Sequence, residues 1–74
     1  MIKSEVTNLW YEECDMVYFR NYIQATKYLE WGATLYDLFV GGDGKLVFCF
    51  SKKDHIRFRD KWGTRENNKV DTNG

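Results

Sequence analysis

The sequence predicts a mixed α+β domain. It reads as a two-layer sandwich in which an antiparallel-rich sheet of three or four strands carries two helices on one face. The order is β-β-α-β-β-α, a variant of the ferredoxin-like arrangement. Three observations predict it. Two apolar segments, 34–40 and 45–51, flank the turn Gly41-Gly42-Asp43-Gly44, and glycine and aspartate tolerate the positive φ that a hairpin needs. Two others, 22–31 and 52–62, space their apolar residues as helices do, and each is followed by a glycine. Finally, a chain of 74 residues buries roughly 63% of its unfolded surface, which gives one small core and one domain.

The elements follow in chain order. Residues 7–12 are a candidate first strand, and Glu12 to Asp15 a turn leading into a second, 16–20 (MVYFR), rich in β-branched and aromatic residues. There Val17 and Phe19 face one way, Met16, Tyr18 and Arg20 the other. Asn21 is an N-cap whose side-chain oxygen can accept from an unpaired N–H of the first turn. The helix after it places Tyr22, Ala25, Thr26 and Leu29 on one face with Tyr28 at the edge, and leaves Ile23 and Trp31 on the far side. In strand 45–51, Leu46, Phe48 and Phe50 alternate with Val47 and Cys49. Both faces are apolar, so this strand is expected at the centre, antiparallel to both neighbours. Ser51 caps a second helix that should end at Gly63. His55, Phe58 and Trp62 share one of its faces, and Lys53, Arg57 and Lys61 the opposite one. Residues 1–63 are thus expected to form the single domain and 64–74 a flexible polar tail. The expected core is Val17, Phe19, Ala25, Leu29, Leu38, Phe48, Phe50, Phe58 and Trp62.

Composition excludes several classes of function. Aromatic residues make up 18% of the chain, there is no proline, and no apolar run approaches the roughly 20 residues of a membrane span. Cys14 and Cys49 lack CxxC spacing and read as reduced thiols, a disulfide being open only if their strands meet, and with the absent signal sequence this points to the cytoplasm. Net charge is zero, but residues 1–43 carry −4 and residues 44–74 carry +4. That imbalance works against polyanion binding by the whole molecule and leaves room for a local basic face.

The pattern Phe19-x-Asn21, Ala25-x-x-x-Leu29-x-x-Gly32, Leu35, Gly44, Phe48-x-Phe50 and Trp62 resembles a family of small uncharacterised domains of phages and Firmicutes, over residues 16–62. In that family a strand, a short helix ending in glycine, a β-hairpin and a last helix follow one another. The resemblance implies a phage or mobile-element origin and a binding role, and it carries no catalytic residues. Residues 1–15 depart from the family pattern.

No nucleophile, base and orienting group fall at a recognisable spacing, so no enzyme, cofactor or metal is expected. His55 stands alone and reads as a packed residue at the core edge. The glycine-rich turn leads into a strand, where a phosphate loop leads into a helix. A core this small cannot bury thirteen aromatic rings, and those left outside mark contact surface. The candidate protein contacts are Trp10, Tyr11, Glu12, Glu13, Asp15, Ile23 and Trp31, with the carboxylates steering toward a basic partner. The expected function is occupation of a host protein's surface, as an inhibitor or regulator, anti-defence proteins included. Self-association through the same aromatics is open. The alternative is a nucleic-acid-binding module that tracks phosphates with Lys53, Arg57, Lys61 and Arg65.

Overall fold

The structure is a computed structural model, and it describes the backbone of residues 1–73 and the side chains of residues 1–64. The fold is mixed α+β. Its main sheet has three antiparallel strands: β3 (Met16–Phe19), β4 (Asp37–Val40) and β5 (Leu46–Ser51), in the order β3-β5-β4. Strand β5 is central, as its two apolar faces require. Its pairs include Val17 with Phe50 and Phe19 with Phe48 on one side, Leu38 with Phe48 and Phe39 with Val47 on the other.

Helices α1 (Tyr22–Glu30) and α2 (Lys52–Asn73) cover one face of this sheet. Asn21 Oδ1 accepts from the Ile23 and Gln24 N–H groups at 3.0 and 3.3 Å and starts α1. Gly32, at φ +103°, ends it, with the Gly32 and Ala33 N–H groups returning to the Leu29 and Tyr28 carbonyls. Ser51 Oγ accepts from the Asp54 N–H at 3.1 Å and starts α2. At the hairpin between β4 and β5, Gly44 takes φ +82°. A Cβ on Gly41 would meet Val47 Cγ2 at 3.2 Å.

Three expectations change. The N-terminal strands do not join the main sheet: β1 (Ile2–Lys3) pairs with β2 (Trp10–Tyr11) in a separate two-stranded ribbon, and Glu13–Asp15 is a 3₁₀ turn. This arm packs on the sheet face opposite the helices, with Tyr11 and Ile2 turned inward against Met16 and Cys49. Second, α2 does not end at Gly63 but runs to Asn73, so residues 64–73 continue the helix. A mid-helix glycine costs only about 1 kcal/mol, and no proline follows to stop the chain. Third, α1 is rotated from its expected setting. Ala25 and Tyr28 are buried, while Leu29 is 39% and Tyr22 66% exposed.

Tyr28 is the centre of the helix-side core. Its ring lies 5.3 Å from that of Phe19, 5.7 Å from Phe50 and 5.8 Å from Phe58. Phe48 and Phe50 are buried with it, and Val17, Phe19, Leu38 and Trp62 pack around them. Among the described residues, no helix is long and apolar enough to cross a membrane.

Phe50 is wholly buried in this cluster. Phe50→Ala should cost about 3–5 kcal/mol, against a total of roughly 4–11 kcal/mol for a chain of this length. Leu29→Ala should cost less than about 1 kcal/mol, as for other exposed positions. Urea melts of the two variants check both values, and equal losses would contradict this core.

Candidate functional site

The chemistry that positions the site begins with one acidic residue in an apolar strand. Asp37 opens β4 and is 9% exposed. Its Oδ1 accepts from Ser4 Oγ at 2.7 Å and from the Leu38 N–H at 2.8 Å, and its Oδ2 accepts from the Tyr11 hydroxyl at 2.6 Å. Ser4 Oγ accepts in turn from the Val6 and Thr7 N–H groups, both at 3.1 Å, which shapes the loop between β1 and β2. Thr7 adds a bond from its hydroxyl to the Tyr36 carbonyl at 2.7 Å. Burial alone would push the Asp37 carboxyl up. The bonds from Tyr11, Ser4 and the Leu38 N–H outweigh it, and the group sits below the usual carboxylate range. The Tyr11 hydroxyl is pushed well above its ordinary value by that bond and by burial, so it remains the donor.

The arm so fixed covers only part of the sheet. Beside it lies an open groove of about 490 Å³. Val47 forms its floor, and Tyr18 and Phe39, from the strands on either side, form walls. Their ring centroids are 6.2 Å apart, edge to face. Tyr18 and Phe39 are 42% and 40% exposed. Ile2 and Tyr11 of the arm close one flank, and Glu13 and Arg20 stand at the rim. Arg20 is ion-paired with Asp43, whereas Glu13 makes no ion pair among the described residues. The groove is therefore apolar with an acidic edge, and Asp15 lies two residues further along the 3₁₀ turn.

The candidate contact residues divide. Trp10 stands on the outer face of the arm and is 57% exposed, with Lys3 Nζ 5.9 Å from its ring centroid. Glu12 and Asp15 are exposed, Glu12 within 3.7 Å of the terminal ammonium of Met1. Ile23 is exposed, but on the helix layer, away from the groove. Two candidates are corrected. Tyr11 is buried under the arm because its hydroxyl satisfies Asp37. Trp31 is half-buried against Tyr28 and Phe58, because the rotation of α1 turns it toward the core. Tyr18 and Phe39 were not singled out. The signal for them was the alternation that turns residues 18, 39 and 47 to one sheet face.

The basic ladder of α2 is partly engaged within the chain. Arg57 lies 3.7 Å from Asp54 and over the Phe58 ring at 4.8 Å, and Lys61 sits 4.5 Å from the Trp31 ring centroid. Lys53 is exposed, and Arg65 lies outside the described side chains. His55 Nδ1 is 3.0 Å from the Tyr28 hydroxyl, which also receives Gln24 Nε2 at 3.4 Å. Burial and then the Arg59 charge hold the imidazole below its ordinary pKa. Cys14 and Cys49 are free thiols. Burial first, then Asp37, pushes the Cys49 thiol up to about 11. Among the described residues, no three His, Cys, Asp or Glu side chains group as metal ligands would.

No protein-family model matches the chain, and neither a curated protein nor a solved structure matches it.

Two measurements follow from these bonds. Tyr11→Phe removes a donor to a buried carboxylate and should cost about 1.5–3 kcal/mol. Hydrogen exchange should show the lost protection concentrated in residues 2–11, and uniform loss would contradict the role given to Asp37. His55 is held neutral in the fold and titrates higher in the unfolded chain. Its contribution to stability is therefore complete above about pH 6.5 and falls as pH drops through the folded pKa. Chemical melts across that range should show the decline in the wild type and a flatter profile in His55→Phe.

Proposed function

We propose that the chain is a non-enzymatic protein-binding module, and that the groove between the arm and β3–β5–β4 takes an apolar side chain of a partner protein. The observation that carries this is the pair of exposed rings, Tyr18 and Phe39, standing over a buried apolar floor at Val47. Rigid aromatic side chains around a pocket are the composition of interface hot spots. Glu13, with Glu12 and Asp15 beside it, selects a partner that places lysine or arginine next to the inserted residue.

The residues able to do chemistry are engaged elsewhere. Asp37 anchors the arm, and His55 bonds the core tyrosine. That supports binding over catalysis. With the resemblance to small phage domains, the reading extends to a host protein in the cytoplasm as the partner, inhibited or regulated by having its surface occupied. A nucleic-acid role for α2 is less well supported, since Arg57 and Lys61 lean on the chain's own Asp54, Phe58 and Trp31.

Capture from host lysate should recover a protein on the wild-type chain. A Tyr18→Ala/Phe39→Ala pair should lose it, because hot-spot truncations cost about 2 kcal/mol or more each. Glu13→Lys should weaken it. Equal recovery on the wild type and the double variant, or none on either, would overturn the proposal. In parallel, titration with DNA or RNA at physiological salt should give a dissociation constant of roughly 10⁻⁴ M or weaker. Sub-micromolar affinity lost in Arg57→Ala/Lys61→Ala would promote the nucleic-acid reading instead.

A further inference from the structure

The main sheet has two outer edges, and the chain treats them differently. At the start of β4 the outward peptide groups are occupied from within. The Leu38 N–H bonds Asp37 Oδ1 at 2.8 Å, and the Tyr36 carbonyl accepts from the Thr7 hydroxyl at 2.7 Å. Groups so occupied keep an edge from pairing with another chain. The edge of β3 has no such cover. The Cys49 and Lys45 carbonyls accept from the Tyr36 and Gly41 N–H groups, both at 2.8 Å, so residues 45 and 49 of β5 turn their peptide groups toward β4. By alternation Phe48 and Phe50 turn theirs toward β3, where they meet Phe19 and Val17. The N–H and the carbonyl of one trans peptide unit point opposite ways. The Met16 carbonyl, the Tyr18 N–H and carbonyl and the Arg20 N–H therefore point outward, and none of the four is bonded among the described residues. The Met16 N–H bonds the Glu13 carbonyl and closes the edge at that end.

These two donors and two acceptors are complementary to themselves. A twofold axis at Tyr18 sets Tyr18 of one copy against Tyr18 of the other, and Met16 against Arg20. Each Tyr18 N–H then meets the other copy's Tyr18 carbonyl, and each Arg20 N–H the other's Met16 carbonyl, with none of the four groups left over. The complementarity is one of peptide dipoles. Arg20 is ion-paired with Asp43 and lies opposite the neutral Met16, so no like charges face each other along the pairing. Toward the helices, Val17 lies opposite Phe19, a β-branched and an aromatic residue of the kind that pairs well across strands, and both are only partly buried in the single copy.

We propose that the protein forms a twofold dimer by antiparallel pairing of β3 with β3 of a second copy, giving one sheet in the order β4-β5-β3-β3-β5-β4. The contact is isologous and consumes both open edges, so association stops at two copies. The paired stretch is only Met16 to Arg20, so the dimer is weak and forms at high protein concentration. It does not rest on the groove reading, although Tyr18 borders both surfaces.

Sedimentation velocity over a wide concentration series, with amide exchange followed by NMR, tests it. The wild type should pass from monomer to dimer with no larger species. In the monomer the Val17 and Phe19 amides should be protected and those of Tyr18 and Arg20 should exchange freely. In the dimer all four should be protected. A synthetic chain with a methyl group on the Tyr18 backbone nitrogen keeps every side chain and loses one outward donor, and should dimerise about tenfold more weakly or worse. Circular dichroism verifies that it is folded, and Arg20→Pro, which removes the other outward N–H, replaces it if it is not. Phe39→Ala alters the groove alone and should dimerise like the wild type, which separates this contact from the groove. A wild type monomeric throughout, growth beyond the dimer, a dimer whose Tyr18 and Arg20 amides still exchange freely, or undiminished pairing in the methylated chain would each overturn the proposal. Protection of those two amides in a monomer only on adding another protein would assign the edge to a foreign strand and overturn it as well.

Discussion

The buried carboxylate of Asp37 is the interaction on which the arrangement of layers depends. It lies between the central sheet and the N-terminal arm and is contacted from both ends of that arm, by Ser4 just after β1 and by Tyr11 in β2. A charge this buried is tolerated only when its oxygens are satisfied, and the three donors it receives meet that condition. The bonds act in one direction geometrically: they fix where a short ribbon of two-residue strands sits. Two residue pairs could not hold such a ribbon alone, since an isolated hairpin is marginal even at greater length. The position of Ile2 and Tyr11, and with it one flank of the groove, follows from Asp37.

The second constraint is the double-sided central strand. Phe48 and Phe50 point toward the helices, and Val47 and Cys49 toward the arm. A strand apolar on both faces demands cover on both. The helices provide it on one side over Phe48 and Phe50 and leave Leu46 and Val40 exposed at the hairpin end. On the other the arm covers Met16 and Cys49 but stops short of Tyr18 and Phe39. The candidate site is the part of this demand left unmet on the arm side. The fold and the groove are therefore consequences of the same strand pattern.

Much of this was legible in the sequence. The strand pairing around Gly41–Gly44, the central place of residues 45–51, the Asn21 and Ser51 caps and the stop at Gly32 all rest on local chemistry, which acts within a few residues. The misplacements lie where long-range contacts decide. Helix α1 has apolar residues on nearly every side, so its sequence fixes no single buried stripe. The Tyr28 hydroxyl, which meets His55 across the helix pair, settles the rotation and brings Trp31 in with it. Gly63 resembled a terminator, but glycine permits a stop without imposing one. The first strand read as part of the main sheet because only the bonds to Asp37, more than twenty residues away, show where it goes. Tyr11 could be counted as an exposed ring for the same reason. The lone carboxylate in residues 34–40 was the available clue, since a charge inside an apolar strand needs partners from elsewhere in the chain.

The arm also bears on why exposed rings at the groove are best read as a surface for use. If the arm served only to cover apolar area, an apolar residue at position 37 would do as well, because a buried ionic group is often no more stabilising than a packed hydrophobic one. What the carboxylate adds is a defined position and register for Ile2 and Tyr11, set by directional bonds of 2.6 and 2.7 Å. The cover ends beside Tyr18 and Phe39, which stay 42% and 40% exposed, and the 3₁₀ turn that follows places Glu13 at the rim. A fixed wall, two exposed rings and a carboxylate with no ion pair among the described residues are thus brought to one opening by a contact whose energetic contribution alone does not account for it. The proposed receptor for a cationic, apolar segment would then be preformed, with little ordering left to be done when the partner arrives.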